Sequence, residues 1–406
     1  MLTILINAYA CSPNMGSEPG MAWNWCVNLA KYCELHIITE GEFKSNIDAV
    51  LPTLPQGQNM HFYYNPVSDK VRKMCWNQGD WRFYRHYKKW QYRTYEIAID
   101  IIAHNKIDIV HQLNMIGFRE PGYLWKINNI PFIWGPVDAK DRFPLAYTDG
   151  LSFKQKAFLR LKNIITVLQL KFSVRVHKAA NNAKIIIAAS SETKRSFKYY
   201  MNLEPVLINE TGCYCYDNLK KEKDGDSLDL LWVGKLDVRK QLSLAIETIA
   251  KLNNPKIRLH IVGGGDQKQY KELANKLNVS ESCIWHGLLA HNDVQSLMRK
   301  SDLLFFTSVA EGTPHVVLEA IGNGLPIICF DCCGQGDSVD RNIGRKVALT
   351  SPKQSIDDFS FIINYLYNNR DEIKEMSDNC ITKANELSWE NKVKQMLEIY
   401  TTCLDI

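Results

Sequence analysis

Short apolar segments with strand character alternate with helical patterns along this chain. One such series occupies the first half of the chain and a second series occupies the second half. In the first half the strand-like segments are 2–8, 36–39, 61–64, 107–111, 132–135 and 184–189. In the second half they are 228–233, 257–262, 284–285, 302–307 and 326–329. The main helical patterns are 23–31, 82–104, 154–181 and, at the end, 389–403. Such alternation predicts an α/β fold of parallel, doubly wound sheets.

The length of 406 residues is sufficient for two domains with their own cores. A polar, charged stretch at 216–227 predicts an exposed linker. We therefore expect an N-terminal domain over 1–215, a C-terminal domain over 228–385, and a final helix over 386–406 that crosses back to the first domain. Two successive α/β domains joined by one linker imply a cleft between them.

Charge is distributed unevenly between the two halves. Residues 1–215 carry 26 Lys+Arg and 17 Asp+Glu, whereas the remainder carries 23 and 27. This asymmetry favours a negatively charged partner for the first half, either a membrane surface, a diphosphate or a nucleic acid.

Two basic stretches carry most of that charge. Residues 70–93 hold eight Lys+Arg and one acid, interleaved with aromatic residues, and residues 150–200 hold eleven and one. The preferred interpretation of the first stretch is a helix packed inward through Phe83, Tyr87, Trp90, Ile97 and Ile101. An anionic membrane is the second interpretation and a nucleic acid the last. The apolar neighbours in the second stretch, among them Ile164 and Leu168, favour the membrane.

The cysteines and the apolar runs indicate a reducing compartment. There are twelve cysteines, most in apolar contexts, and the single C-x-x-C at Cys329 and Cys332 lacks a second pair at zinc-ribbon spacing. We predict no metal site. No signal peptide and no apolar run of about 20 residues is evident. A cytoplasmic location follows as the expectation.

Glu311 and Glu319 flank a Gly-Thr-Pro turn between a predicted strand and a predicted helix. Ligands bind at the carboxyl ends of strands in open α/β sheets. A carboxylate accepts hydrogen bonds from two adjacent sugar hydroxyls, and the turn at Gly312, Thr313 and Pro314 presents backbone N–H groups next to a helix start, which suits an anion. An ordinary strand–turn–helix with two solvated acids is the alternative.

Three further loops follow predicted strands. Gly16 permits close approach of a phosphate and Ser17 adds a hydroxyl, in a loop that lacks the G-x-G-x-x-G pattern of NAD-binding folds. The basic residues of the second loop suit a diphosphate; they are Lys235, Arg239 and Lys240. The third loop contains the triple glycine around Gly264, which permits a tight turn or close ligand approach.

In order, Gly-Lys-Leu…Arg-Lys, Val-Gly-Gly-Gly-Asp, Trp-His-Gly and Glu-Gly-Thr-Pro…Glu-Ala…Gly-Leu-Pro-Ile resemble the family-4 retaining glycosyltransferases. The resemblance is most specific over residues 230–345. The opening Gly-Ser-Glu-Pro-Gly and the segment 134–137 resemble bacterial enzymes that build surface polysaccharides such as O-antigen or capsule. The implied fold is GT-B, in which two Rossmann-like domains face a cleft.

The resemblance also implies roles for single residues. Glu319 is expected to hold the donor ribose, and Glu311 the donor sugar or its surroundings. Lys235 and Lys240 are expected to hold the diphosphate, with Gly16 closing over it. His111 occupies the place of a sugar-contacting histidine in relatives, although a buried structural histidine is nearly as well supported.

Two positions depart from the family pattern. Lys235 stands where arginine is usual, so point charge replaces bidentate recognition of phosphate. Asp138 and Ala139 stand where glycines are common, which affects acceptor specificity. Cations and helix dipoles can stabilise a leaving diphosphate, so no divalent metal or other cofactor is expected. The expected partners are a nucleotide sugar, a lipid-linked oligosaccharide acceptor and an anionic membrane surface, without nucleic acid.

Two alternatives stay open on the sequence. A nucleotide-sugar 2-epimerase shares this architecture and needs no acceptor. A non-catalytic protein that binds nucleotide sugars is also compatible, because fold alone does not determine function. The sequence leaves the donor base, the sugar, the acceptor and the linkage undetermined.

Overall fold

The computed structural model describes residues 1–77, 80–140, 142–214 and 226–404. The predicted linker at 216–227 lies almost wholly outside the described residues. The strands are β1 Leu2–Asn7, β2 Cys33–Thr39, β3 Met60–Tyr64, β4 Ile109–Gln112, β5 Phe132–Val137, β6 Ile185–Ala188, β7 Val206–Leu207, β8 Leu228–Val233, β9 Ile257–Val262, β10 Cys283–Gly287, β11 Leu303–Phe306, β12 Ile327–Phe330 and β13 Gly344–Val347.

Helices separate these strands. They are α1 Ser17–Leu29, α2 Lys44–Val50, α3 Asp69–Trp76, α4 Phe83–His104, α5 Phe153–Phe172, α6 Val174–Asn182, α7 Ser191–Met201, α8 Leu242–Leu252, α9 Lys268–Lys276, α10 His291–Lys300, α11 His315–Gly322, α12 Cys333–Ser338, α13 Pro352–Asn368, α14 Arg370–Glu386 and α15 Trp389–Leu404. Short 3₁₀ turns lie at Leu51–Thr53, Gly57–Asn59, Leu124–Lys126, Leu145–Tyr147, Val238–Lys240 and Ser280–Ser282.

Two compact units divide the chain. The first contains 1–141, 165–211 and 389–406, and the second contains 142–164 and 212–388. The sequence pattern placed all of 1–215 in the first domain. Residues 142–164 group with the second unit because Tyr147 packs edge-on against Phe330 and its hydroxyl lies 2.8 Å from Ser355 Oγ.

The first unit is built on a parallel sheet in the order β3-β2-β1-β4-β5-β6-β7. Its central strands are nearly continuous apolar runs, as both faces of a parallel sheet are covered by helices. The final helix α15 packs against α1, where the Trp25 and Trp389 rings meet edge to face at 5.4 Å between centroids. The predicted return of the C-terminal helix to the N-terminal domain is confirmed.

The helix α4 buries an aromatic face within the first unit. Phe83, Tyr87 and Trp90 surround Tyr9 at ring-centroid distances of 5.8, 5.3 and 4.8 Å. The preferred interpretation of the first basic stretch, an inward-packed helix, is therefore confirmed for these residues. Among the described residues, no helix combines the length and the apolar character that crossing a membrane requires.

The second unit is built on a parallel sheet in the order β10-β9-β8-β11-β12-β13. In each sheet the strand order reverses beside the first strand of the unit, between β1 and β4 and between β8 and β11. The crevice at the carboxyl ends of such a strand pair is where α/β proteins bind ligands.

Candidate functional site

The switch point of the second unit is flanked by the loops that follow β8 and β11. These loops span residues 234–241 and 307–314, and they bring together basic residues and the Glu-Gly-Thr-Pro turn predicted from the sequence. The first loop ends in the 3₁₀ turn Val238–Lys240, and α11 starts at His315 directly after the second.

Lys240 and Glu311 form an ion pair across this switch point. Lys240 Nζ lies 2.7 Å from Glu311 Oε1, and both side chains are mostly buried. The Ser308 hydroxyl donates to the same carboxylate oxygen at 2.6 Å. The ammonium also lies 4.8 Å from the centroid of the Phe306 ring. A cation is thus fixed at the sheet edge by one carboxylate oxygen and one aromatic face.

Hydrogen bonds to backbone carbonyls hold the two loops together and tie the second loop to α12. Thr307 Oγ1 donates to the Lys240 carbonyl at 2.7 Å, and the Val309 N–H donates to the Arg239 carbonyl at 2.9 Å. The Gly334 N–H donates to the Gly312 carbonyl at 2.8 Å. These bonds preorganise the cation and the turn before any ligand arrives, which is what electrostatic stabilisation of a developing charge requires.

The other two cations of the loop differ in what they contact. Arg239 bonds Asp237 at 2.9 Å, and although burial opposes its charge, the nearby carboxylates of Glu311 and Asp237 raise the pKa of Arg239. Lys235 is exposed, and among the described residues it makes no ion pair. Lys240 is therefore the cation that the structure fixes most firmly.

Glu319 lies on α11 and is enclosed by α10. Burial raises the pKa of Glu319, while the His291 charge and a hydrogen bond from Gln295 oppose the rise. Gln295 Nε2 donates to Glu319 Oε2 at 3.3 Å. This carboxylate therefore retains acceptor capacity in a partly closed setting, as a diol-binding group needs.

His315, the first residue of α11, is a site residue that the sequence did not predict. Burial lowers the pKa of His315 to about 4, which Lys240 reinforces and Glu311 opposes. The imidazole therefore stays neutral beside the ion pair. Ser308 and Cys333 were not predicted either. Cys333 Sγ accepts the Glu311 N–H at 3.4 Å. Neither residue belongs to a recognisable sequence motif. The only sequence feature that could have indicated Ser308 is its position three residues before Glu311.

The triple glycine divides into structural and open positions. A Cβ at Gly263 would lie 1.8 Å from the Gly234 oxygen, and one at Gly265 would lie 2.8 Å from Leu236 Cβ. A Cβ at Gly264 would meet nothing closer than Leu288 at 3.8 Å. Chain geometry therefore requires the outer two glycines, whereas nothing within the described residues requires the middle one.

The first unit has its own switch-point loop after β1. Glu18 accepts the N–H groups of Met115 at 2.9 Å and Ile116 at 3.0 Å, and so joins this loop to the loop after β4. Burial raises the pKa of Glu18, while those two N–H groups oppose the rise. Ser17 has a left-handed backbone at φ 55°, whereas Gly16 has φ −89° and, among the described residues, no atom within 4 Å of an added Cβ.

His111 is buried in the first unit with both ring nitrogens in hydrogen bonds. Nδ1 lies 2.7 Å from the Tyr400 hydroxyl, and Nε2 lies 2.6 Å from the Gly135 carbonyl. Because a carbonyl only accepts, Nε2 carries the proton and Nδ1 accepts from tyrosine. Burial lowers the pKa of His111 to about 4. The His111 ring therefore links Tyr400 on α15 to the Gly135 carbonyl on β5.

Asp138 marks the departure from the family pattern after β5. Its Oδ1 accepts the Thr193 hydroxyl at 3.0 Å and the Lys140 N–H at 3.2 Å, and burial raises the pKa of Asp138. Among the described residues, no group of three His, Cys, Asp or Glu side chains is arranged to hold a metal ion.

Comparison with solved structures identifies the fold as GT-B. The lipopolysaccharide outer core galactosyltransferase WaaB superposes with a TM-score of 0.65 at 16% identity, over 99% of this chain and 100% of WaaB. HepE of Anabaena, solved in complex with UDP and glucose, superposes with a TM-score of 0.61 at 16% identity, over 99% of this chain and 100% of HepE.

Residues 217–387 match the family model described as glycosyl transferases group 1. Protein CapJ of Staphylococcus aureus is 29% identical over 184 residues, which are 43% of this chain and 46% of CapJ. The lipopolysaccharide glucosyltransferase WaaG of Escherichia coli K12 is 34% identical over 123 residues, which are 29% of this chain and 32% of WaaG. The aligned part spans less than half the length of these curated relatives.

Proposed function

We propose that this protein is a retaining glycosyltransferase that moves a sugar from a nucleoside diphosphate to a lipid-linked acceptor in the synthesis of a surface polysaccharide. The observation that carries the proposal is the Lys240–Glu311 pair at the switch point, next to the Gly312–Pro314 turn. A leaving diphosphate needs fixed positive charge at this place, and a sugar needs a carboxylate beside it.

In this proposal the donor ribose diol bonds Glu319 and the diphosphate displaces Glu311 from Lys240. The bond between the anomeric carbon and the diphosphate oxygen then breaks, and the electron pair goes to that oxygen. Positive charge develops on the sugar ring, while Lys240 and the turn N–H groups stabilise the leaving group. The acceptor hydroxyl attacks from the same face, and its proton passes to the leaving phosphate, which retains the configuration.

The lipid-linked acceptor is supported by the named functions of the relatives and by the basic first half of the chain. WaaG is a lipopolysaccharide glucosyltransferase and WaaB a lipopolysaccharide outer core galactosyltransferase, and both names point to synthesis of a surface glycan. An acceptor of this kind lies at an anionic membrane surface, so the proposal includes peripheral association with the cytoplasmic face of the membrane and no metal requirement.

The test combines a donor screen with product analysis. Thermal shift against a panel of nucleotide sugars identifies the donor, because a specific ligand raises apparent stability. The donor is then supplied with polyisoprenyl-diphosphate acceptors, and NMR of the new anomeric proton reads the configuration. A product that forms without acceptor and differs from the donor only at C2 would indicate the epimerase. Tight donor binding without any turnover would indicate a binding protein.

A further inference from the structure

The helix α5 presents its apolar side chains to solvent. An amphipathic helix of a globular domain normally turns this face toward the core. Here Phe153 is 82% exposed, Leu161 54%, Ile164 57%, Leu168 49% and Phe172 65%. Such large contiguous apolar exposure marks an interaction surface.

These residues form one stripe along the helix. With the exposed Ala157, they follow each other at intervals of three or four residues, which places them on a single face of an α-helix. Phe158 and Ile165 extend the same face and are 62% and 42% exposed. We call these eight residues the α5 outer stripe. A helix of this length presents the stripe over about 30 Å.

The face of α5 opposite the stripe makes polar contacts at Asn163, Thr166 and Gln169. Asn163 Oδ1 accepts the Phe143 N–H at 2.8 Å, and Asn163 Nδ2 donates to the Phe143 carbonyl at 2.9 Å. Arg119 donates to Thr166 Oγ1 at 2.6 Å and to Gln169 Oε1 at 2.9 Å. Rotating the apolar stripe inward would break these bonds.

The charge beside the stripe has one sign. Residues 150–191 contain no Asp or Glu. Arg160 and Lys171 lie along one rim of the stripe and Lys162 lies along the other, all with exposed side chains. Long basic side chains beside an inserted apolar face reach lipid phosphates while their methylenes remain in the apolar layer.

We propose that the α5 outer stripe inserts into the interfacial layer of an anionic lipid bilayer. This inference rests on the proposed function, since it names the surface by which the enzyme would reach a lipid-linked acceptor. A bilayer fits better than a second copy of the chain, because apposing two α5 helices would bring like charges together. The helix α5 is also a better candidate for this contact than α4, because the aromatic face of α4 is already buried against Tyr9.

The experiment is flotation of the full chain, without nucleotide sugar, with vesicles of phosphatidylcholine alone or mixed with phosphatidylglycerol. The test variant is Ile164→Ser/Leu168→Ser. The matched control is Phe361→Ser/Ile381→Ser, which removes apolar side chains that are 74% and 45% exposed on α13 and α14. All four side chains are exposed, so the fold survives, which circular dichroism verifies.

Wild type and control are expected to float with the anionic vesicles, and the stripe variant is expected to lose at least tenfold in bound fraction. Arg160→Glu/Lys171→Glu should lower binding to the anionic vesicles, whereas Lys88→Glu/Lys89→Glu on α4 should leave most of it. Three outcomes would overturn the inference. The first is a wild type that does not float, and the second is a stripe variant that floats as well as the wild type. The third is a wild type that ignores vesicles and is a dimer, together with a stripe variant that is a monomer.

Vesicle binding is scored separately from glycosyl transfer. If the protein floats through α5 but transfers no sugar, the proposed function fails and the surface stands. If sugar transfer occurs on a detergent-dispersed acceptor but the wild type ignores vesicles, the surface fails and the proposed function stands.

Discussion

Lys240 Nζ lies 2.7 Å from Glu311 Oε1, and the two residues come from loops that follow adjacent strands at the switch point of their sheet. The pair keeps an ammonium in place at the sheet edge while its charge is compensated. An incoming diphosphate can take over the ammonium and release Glu311 toward a bound sugar. Neither loop supplies this arrangement alone.

Replacing Lys240 by alanine should reduce kcat about 10²- to 10³-fold and change KM much less. The reason is that leaving-group charge grows in the transition state, where one well-placed donor contributes about 3–4 kcal/mol. Steady-state kinetics on the donor found by the thermal-shift screen measures the effect.

Lys235→Ala is the matched control, because Lys235 is in the same loop but exposed. Its effect on kcat should be at least tenfold smaller. Equal losses in the two variants would show that the fixed ion pair has no special role.

Glu319→Gln should weaken donor binding about tenfold or more, since loss of a charge-assisted hydrogen bond costs about 1.5–3 kcal/mol. Burial raises the pKa of Glu319, so wild-type donor affinity should fall on acidification earlier than an ordinary glutamate would cause. Calorimetric titration at a series of pH values measures both effects. Glu272→Gln, at an exposed position on α9, should bind as wild type does. A pH-independent wild type would contradict the diol-binding role.

Turnover should be unchanged after dialysis against EDTA and should not rise on addition of Mg²⁺ or Mn²⁺. The physical reason is that Lys240, the turn N–H groups and the start of α11 supply the positive potential that a metal would otherwise provide. Release of the nucleoside diphosphate is the readout. If activity disappears in EDTA and returns with either cation, these protein groups do not supply enough positive potential and a metal ion is required.

The core strands of both sheets were predictable because they are short runs rich in aliphatic and aromatic residues and bounded by polar residues. Two strands were not predicted. β7 Val206–Leu207 has only two residues and both are exposed, and β13 Gly344–Val347 carries Arg and Lys at its centre. Such edge strands are defined by pairing with a neighbour and not by an apolar pattern.

Part of the site was predictable for a related reason. Motif residues such as Lys240, Glu311 and the Gly-Thr-Pro turn lie where strands end, so their proximity follows from the topology. The ion pair, the capture of the Glu311 N–H by Cys333 Sγ and the neutral His315 depend on side-chain packing between distant segments. No periodicity or spacing in the sequence reports such contacts.

His111 should make the first unit less stable in mild acid. Burial lowers its pKa from 6.5 to about 4, so protons bind the unfolded chain preferentially as the pH falls through 6.5 toward 4. The stabilisation is therefore complete above pH 6.5, and about 2 kcal/mol is lost by pH 5. Urea unfolding at pH 5 and pH 7 measures it. His111→Gln should show a smaller difference between the two pH values, and His104→Gln, at an exposed position, should match wild type. An unchanged pH response in His111→Gln would assign the acid sensitivity to other groups.

Two glycines with space for a Cβ, Gly16 and Gly264, lie in loops of the candidate site and allow a test of ligand approach that is separate from folding. In the part of the chain that the structure describes, an added Cβ at Gly16 meets no atom within 4 Å, and one at Gly264 meets only Leu288 at 3.8 Å. Neither position has a left-handed backbone, so alanine fits both without strain. Gly16→Ala and Gly264→Ala should therefore unfold at the wild-type temperature or slightly above it, because alanine restricts the unfolded chain.

Donor binding should nevertheless weaken at least tenfold in both variants, because a methyl group at a point of close backbone approach pushes a phosphate or sugar away. Gly263→Ala is the informative contrast, since its Cβ would lie 1.8 Å from the Gly234 oxygen. That variant should lose stability first and donor binding as a consequence. Thermal denaturation and calorimetric titration on the three proteins separate the cases. If Gly264→Ala is stable and keeps full donor affinity, the donor does not approach the loop that follows β9. If Gly16→Ala gives the same result, the loop that follows β1 does not contact the phosphate.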